Sequence, residues 1–197
     1  MEVLAQKCTS ILIQKGIASE TDRNYFDYCF EIMISTILEF GAVLLIAIVS
    51  HSVPQTICFL LGLWIVRCRA GGYHADTNTG CFILLLVVHL SFLLIIHSIP
   101  SQSYIWVIVL GSIFSCITIY AFAPVEHVNR PISKREYHKF KRESRILISV
   151  FTITSIGSVA IFPHMKTSQL LCSFTIGVVV AVVSIFPAIF HSQRKAQ

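Results

Sequence analysis

Residues 53–67, VPQTICFLLGLWIVR, decide the topology of this chain. The apolar run from Val53 to Val66 falls short of the ~20 residues a helix needs to cross a ~30 Å hydrocarbon core. It can be read as a re-entrant segment or as a short, tilted span. Five other apolar segments, 32–50, 81–99, 104–123, 146–162 and 169–190, are visible in the sequence. If 53–67 also crosses and the N-terminus lies inside, the stretches 1–31, 67–80, 124–145 and 191–197 share the cytoplasmic face. Of the 15 Lys and Arg residues, 14 then lie on that face and Lys166 alone lies outside. This is a strong positive-inside pattern, and it would be scrambled if residues 53–67 did not cross. The sequence therefore predicts an all-α polytopic membrane protein with six transmembrane helices.

Composition agrees with that class. Of the 197 residues, 55% are hydrophobic and 13% charged, and the mean hydropathy is +0.75, far from a soluble average. A single membrane domain over 1–197 is expected, with an amphipathic region at 1–31 and a six-span region at 32–190. No basic segment precedes an early apolar run, so no cleaved leader is expected. Leu4, Cys8, Ile11, Leu12 and Lys15 recur at helical spacing, which suits an interfacial helix with its apolar side in the membrane. Ser19 and Asp22 form an S-x-x-D signal for a second helix leading into the first span. The seven cysteines are scattered singly with no CxxC, so free thiols are expected rather than a disulfide framework. The net charge of +5 suits an anionic membrane surface better than a nucleic acid, because the basic residues sit at loop ends without an aromatic platform.

The interruption after residues 53–67 reads RCRAGGYHADTNTGC, Arg67 to Cys81. Arg67 and Arg69 are explained by snorkelling to headgroups. Gly71-Gly72, His74, Asp76 and Cys81 are not. On an unbroken helix His74 and Cys81 would share a face but stand ~10.5 Å apart along the axis, too far for proton transfer. Paired glycines with Asp76, Asn78 and Gly80 favour a turn instead, which lets the two side chains meet. A histidine can then take the thiol proton or hold a thiolate. Cys81 would also open the third span, where the helix dipole favours the thiolate. Asp76 or Asn78 could orient the imidazole. Two plainer readings stand beside this one: a cysteine in an apolar protein is commonly a small hydrophobe, and an interfacial histidine is commonly solvated. Cys68, His74 and Cys81 lack the spacing of a tetrahedral metal site, so no metal or other cofactor is expected.

The chain resembles the accessory gene regulator B (AgrB) family of bacterial membrane endopeptidases. The likeness rests on R-x4-G-x-H-x6-C as Arg67, Gly72, His74 and Cys81, and on Ala123, Pro124, Asn129 and Pro131 in APVEHVNRPIS before a basic loop. It extends over the length, the amphipathic start and the six spans. The resemblance implies a cysteine endopeptidase of the bacterial cell membrane, with both termini cytoplasmic. Its partner would be a small AgrD-like precursor peptide for quorum sensing. Cys81 is then the nucleophile and His74 the general acid/base. The precursor's acidic C-terminal tail is cut off, the core is held as an acyl-enzyme thioester, and the core's own cysteine displaces it as a thiolactone autoinducing peptide. Gly72 would permit close backbone approach, and Arg67 would contact headgroups, a substrate carboxylate or the developing oxyanion. A homodimer is compatible with the family.

Other polar residues leave a second class open. Glu39 lies inside the first span and His89 in the third; intramembrane ionisable groups are functional candidates, and these two could line a small transporter or exporter without peptidase activity. The absence of a repeat pair argues against transport. A scaffold without chemistry would make the glycine-histidine-cysteine segment superfluous. His89 reads as a packing residue and His97, near the outer end, as solvated. The loop 130–145, with seven basic residues and two acidic ones, is read either as bound to anionic lipid or as a capture surface. In the second reading Lys134, Arg135, Lys139, Lys141 and Arg142 attract the precursor's acidic tail.

Overall fold

The computed structural model describes residues 2–73, 77–125, 133–161 and 165–189. These form seven helices, α1 (Glu2–Gln14), α2 (Arg23–Val49), α3 (Val53–Ala70), α4 (Asn78–Ser98), α5 (Tyr104–Phe122), α6 (Lys134–Ile161) and α7 (Met165–Val183). Short 3-10 turns, Glu20–Asp22 and Ser101–Ser103, lead into α2 and α5. The described residues contain no strand. Among the described residues, five segments are long and apolar enough to cross a membrane: Glu20–Val49, Val53–Ala70, Asn78–Ser98, Ser101–Phe122 and Ser168–Ile189. The protein is accordingly a multi-pass membrane protein. Residues 53–67 belong to one of the five. The expected span 146–162 takes a different form: it is the C-terminal half of the 28-residue α6. The charged turns and the apolar turns run on as one helix, and the apolar part alone is shorter than a standard crossing.

The chain divides into two compact units, Met1–His51 with Ala75–Leu90, and Ser52–His74 with Ser91–Gln197. In the first unit α1 packs along α2. Small residues make that contact: Ala5 and Thr9 are buried, while Leu4 and Ile11 stay exposed. The helix expected from the spacing of Leu4, Cys8 and Ile11 thus forms, but the face it gives to the protein is a different one. Ser19 caps as its sequence signal implied, accepting the Thr21 N–H at 3.1 Å, although the turn it opens is the 3-10 turn ahead of α2. Inside α2, Ser35 donates to Glu39 Oε1 at 3.1 Å, which gives this carboxylate a partner within its own helix.

The second unit is built on the pair α3 and α7. Two glycines let the helix backbones touch. A Cβ at Gly62 would run into the Phe174 carbonyl oxygen and stand 3.2 Å from the Val178 nitrogen; a Cβ at Gly177 would meet the Phe59 carbonyl oxygen and the Leu63 nitrogen. Close backbone approach through small residues is the usual basis of helix association in lipid, where no hydrophobic force favours it. Phe59 of α3 and Phe92 of α4 stack with centroids 4.3 Å apart. Two hydroxyls of α7 turn back on their own helix, Ser173 donating to the Gln169 carbonyl and Thr175 to the Leu171 carbonyl, so these two polar groups are satisfied locally. His97, expected to be solvated, is engaged: Nδ1 lies 2.8 Å from the Leu93 carbonyl and Nε2 3.2 Å from the Ser52 hydroxyl. Because Nδ1–H must donate to the carbonyl, Nε2 accepts from Ser52. His89 is fully buried.

Candidate functional site

The Arg67–Cys81 segment is not one helix. α3 ends at Ala70, and Gly71 (φ +80°) and Gly72 (φ +153°) carry backbone angles that side chains rarely adopt. Both glycines also press on neighbours. A Cβ at Gly71 would stand 2.5 Å from the Val125 carbonyl oxygen, and one at Gly72 would stand 2.5 Å from Ser184 Oγ. Backbone hydrogen bonds fix the crossing: the Tyr73 N–H donates to the Ser184 carbonyl at 2.9 Å, and the Val125 N–H to the Ala70 carbonyl at 3.0 Å. Arg67 folds over the same turn, its Nη2 donating to the Tyr73 carbonyl. Arg67 and Gly72 of the motif therefore act together in shaping this turn. His74 and Asp76 lie outside the described residues, as do Asn129 and Pro131.

Cys81 occupies the first turn of α4. The helix begins three residues earlier than expected, at Asn78, because Thr77 serves as its N-cap. Thr77 Oγ1 accepts the Gly80 N–H at 3.0 Å, and the Thr77 carbonyl accepts the Cys81 N–H at 3.0 Å. Cys81 is half-buried. Asn78, a candidate orienting residue, has its amide Nδ2 donating to Glu31 Oε1 of α2 at 2.9 Å. The sequence reading did not single out Glu31. Its one local signal is a carboxylate at the head of an apolar run; the partner is 47 residues away.

The basic segment read as the loop 130–145 is helical from Lys134 onward. Ser133 and Glu136 form a capping box: the Ser133 N–H and hydroxyl donate to Glu136 Oε2 at 3.0 and 2.8 Å, and the Glu136 N–H donates to Ser133 Oγ at 3.3 Å. That S-x-x-E signal was present in the sequence and explains the helix start. Arg135, Lys139 and Arg142 are exposed and Lys141 is half-buried. Arg145 donates to the Tyr120 carbonyl at 3.0 Å and lies over the Tyr120 ring at 5.1 Å. Glu143 pairs with Arg69 at 3.2 Å, so one of the two acidic charges is turned toward α3. An open groove of about 480 Å³ runs beside α6, with His138, Lys141, Arg142 and Arg145 at one end and Ile146 and Val150 further along. No group of three or more potential metal ligands occurs among the described residues, and none of the described cysteines is in a disulfide.

The AgrB family model, "Accessory gene regulator B", matches residues 5–185. An AgrB-like protein of Listeria innocua is 25% identical over 194 residues, covering 98% of this chain and 91% of the relative. An AgrB-like protein of Listeria monocytogenes serotype 4b is 26% identical over 196 residues with the same coverage, and AgrB-like protein 2 of Clostridium perfringens is 21% identical over 164 residues, covering 78% of this chain and 77% of the relative. No solved structure matches. A match this continuous takes in most of α1, the glycine-bound crossing, Cys81 and the basic helix alike, and on it the chain belongs to the accessory gene regulator B family.

Proposed function

We propose that this protein is a membrane cysteine endopeptidase that cuts a small, AgrD-like precursor peptide between its core and its acidic tail and passes the core on as a thiolactone. The proposal includes the six-span topology with both termini cytoplasmic, α1 in the interface, Cys81 as nucleophile and His74 as general acid/base. The observation that carries it is the placement of Cys81 in a capped first turn of a membrane helix, directly after a glycine crossing that only this backbone geometry permits. Cys81 Sγ attacks the scissile carbonyl as its proton passes to the imidazole. The C–N bond breaks, the imidazole returns the proton to the departing amine, and the acyl group stays on Sγ. The core's own thiol then attacks that thioester and Cys81 leaves as thiolate, an exchange of one thioester for another that is close to balanced. A site at the membrane interface restricts water, which disfavours hydrolysis of the acyl-enzyme. Intact-mass spectrometry tests this directly. The protein incubated with a short precursor peptide that carries one core cysteine and an acidic tail should gain the mass of the precursor less its tail, hydroxylamine should discharge it, and Cys81→Ala should gain nothing. A tail cut without any adduct on the wild-type protein would refute the thioester.

Gly72 allows a sharper check. Gly72→Ala should lower cleavage about tenfold, the size of strain expected for an alanine held at this φ. Ser184→Ala in the same chain removes the atom that the new methyl strikes and should restore part of the loss. Ser184→Ala without effect on Gly72→Ala would show that the close approach is not what makes glycine necessary.

The basic face of α6 suits capture of the acidic tail. A peptide held at the membrane surface is confined to two dimensions, so modest attraction guides it, and screening within ~8 Å at physiological salt makes the effect salt-sensitive. Replacing Lys134, Arg135, Lys139, Lys141 and Arg142 with Gln should raise KM more than it lowers kcat, since the tail is held alike in ground and transition states. A precursor whose tail acids are neutralised is the control: an equal loss with that peptide would assign the face to topology or lipid.

A further inference from the structure

We propose that Glu31 is a positioning residue that sets which end of the Asn78 carboxamide is presented beside Cys81. An amide can turn either its oxygen or its nitrogen to a neighbour, and most partners accept one or the other. A carboxylate only accepts hydrogen bonds. With Glu31 Oε1 at 2.9 Å, Asn78 must turn Nδ2 toward α2, which leaves Oδ1, an acceptor, at the other end of the planar group. Asn78 opens α4 and Cys81 follows three residues later; residues at that spacing are neighbours on one helix face. Thr77 holds the same turn from below by accepting the Gly80 N–H, so the backbone that carries both side chains is fixed. Glu31 and Asn78 are both half-buried, and the carboxylate sits at the N-terminal end of α4, where the helix dipole favours a negative charge.

The consequence is directional. On the endopeptidase reading, on which this inference rests, an imidazole N–H needs an acceptor to orient it, and a flipped Asn78 amide would offer a donor instead. A link that merely tied α2 to α4 would be served equally well by glutamine, which has the same shape and can hydrogen-bond in either sense. A directional link would not.

Glu31→Gln, Asn78→Ala and the double variant, in the full chain reconstituted into vesicles, separate the two. The peptide assayed is a short precursor with one core cysteine and an acidic tail. Glu31→Gln should unfold at the wild-type midpoint and keep KM within about twofold, while kcat falls five- to tenfold. In the Asn78→Ala background the same change should cost nothing further, because the group it orients is gone. Wild-type kcat for Glu31→Gln, or losses that multiply in the double variant, would overturn the inference. Cys81→Ala run alongside keeps the two failures apart. If Cys81→Ala is inactive and Glu31→Gln is fully active, only the positioning role falls; if Cys81→Ala still cleaves, the endopeptidase reading falls and the inference goes with it.

Discussion

Cys81→Ala should leave no precursor cleavage above the uncatalysed rate, while the protein still inserts into the membrane and unfolds at its usual midpoint. The residue is half-buried at the opening turn of α4, where its backbone N–H is already engaged by the Thr77 carbonyl. A methyl group at this place removes the sulfur without disturbing that bond. Cys58, Cys116 and Cys172 lie along spans, and Cys172 is completely buried. Alkylation at neutral pH should accordingly reach Cys81 before any of these three. His74→Ala should cost at least ~10²-fold in kcat if the imidazole takes the thiol proton. The measurement is tail release from the purified precursor in vesicles of one fixed lipid composition. Cleavage by purified Cys81→Ala at the wild-type rate would remove the nucleophile assignment whatever His74→Ala does.

Gly177→Ala should be the most destabilising single methyl in the second unit. The new Cβ would overlap the Phe59 carbonyl oxygen and stand 3.0 Å from the Leu63 nitrogen. Both are backbone atoms of α3 and cannot rotate aside as a side-chain tip can. The helices must therefore separate, and packing around Phe59, Val178 and Ala181, all buried, loosens with them. Overpacking that forces backbone shifts typically costs about 1–3 kcal/mol, and the contacts here put Gly177→Ala at the upper end. Gly157→Ala is the matched control, since a Cβ there meets nothing within 4 Å and a helix gains propensity from the change. Unfolding in mixed detergent micelles should place Gly177→Ala well below wild type and Gly157→Ala at or above it. Equal midpoints for the two would show that the α3–α7 contact yields easily.

The sequence alone was enough for the helical class, for the break between residues 70 and 78, and for the family. Each has a local signature: apolar runs, paired glycines, or a spaced motif. What escaped it depended on residues far apart in the chain. Glu31 and Asn78 are separated by 47 positions, and neither one's neighbourhood announces the other. The role of Gly62 and Gly177 arises only when α3 and α7 lie together. α1 is instructive in another way: periodicity identified the helix, yet Ala5 and Thr9 rather than the larger Leu4 and Ile11 face α2, because close packing in this unit selects for small side chains. The start of α6 was readable, since Ser133 and Glu136 form a capping box, but the density of charge around it suggested a loop.

Within the second unit, three described stretches of the chain meet just after α3. Ala70 to Tyr73 is tied to Val125 on one side and to Ser184 on the other, so three stretches that leave the ribosome at widely different times share one knot of backbone bonds. The first two can pair as soon as α5 has been made; the third must wait for the end of α7. During synthesis, then, the turn before α4 stays open on its Ser184 side until nearly the whole protein has been delivered to the membrane, and a nascent chain that stalls short of Ser184 carries Cys81 without a finished turn before it. Completion of α7 is thus also the step that closes a turn laid down more than a hundred positions earlier.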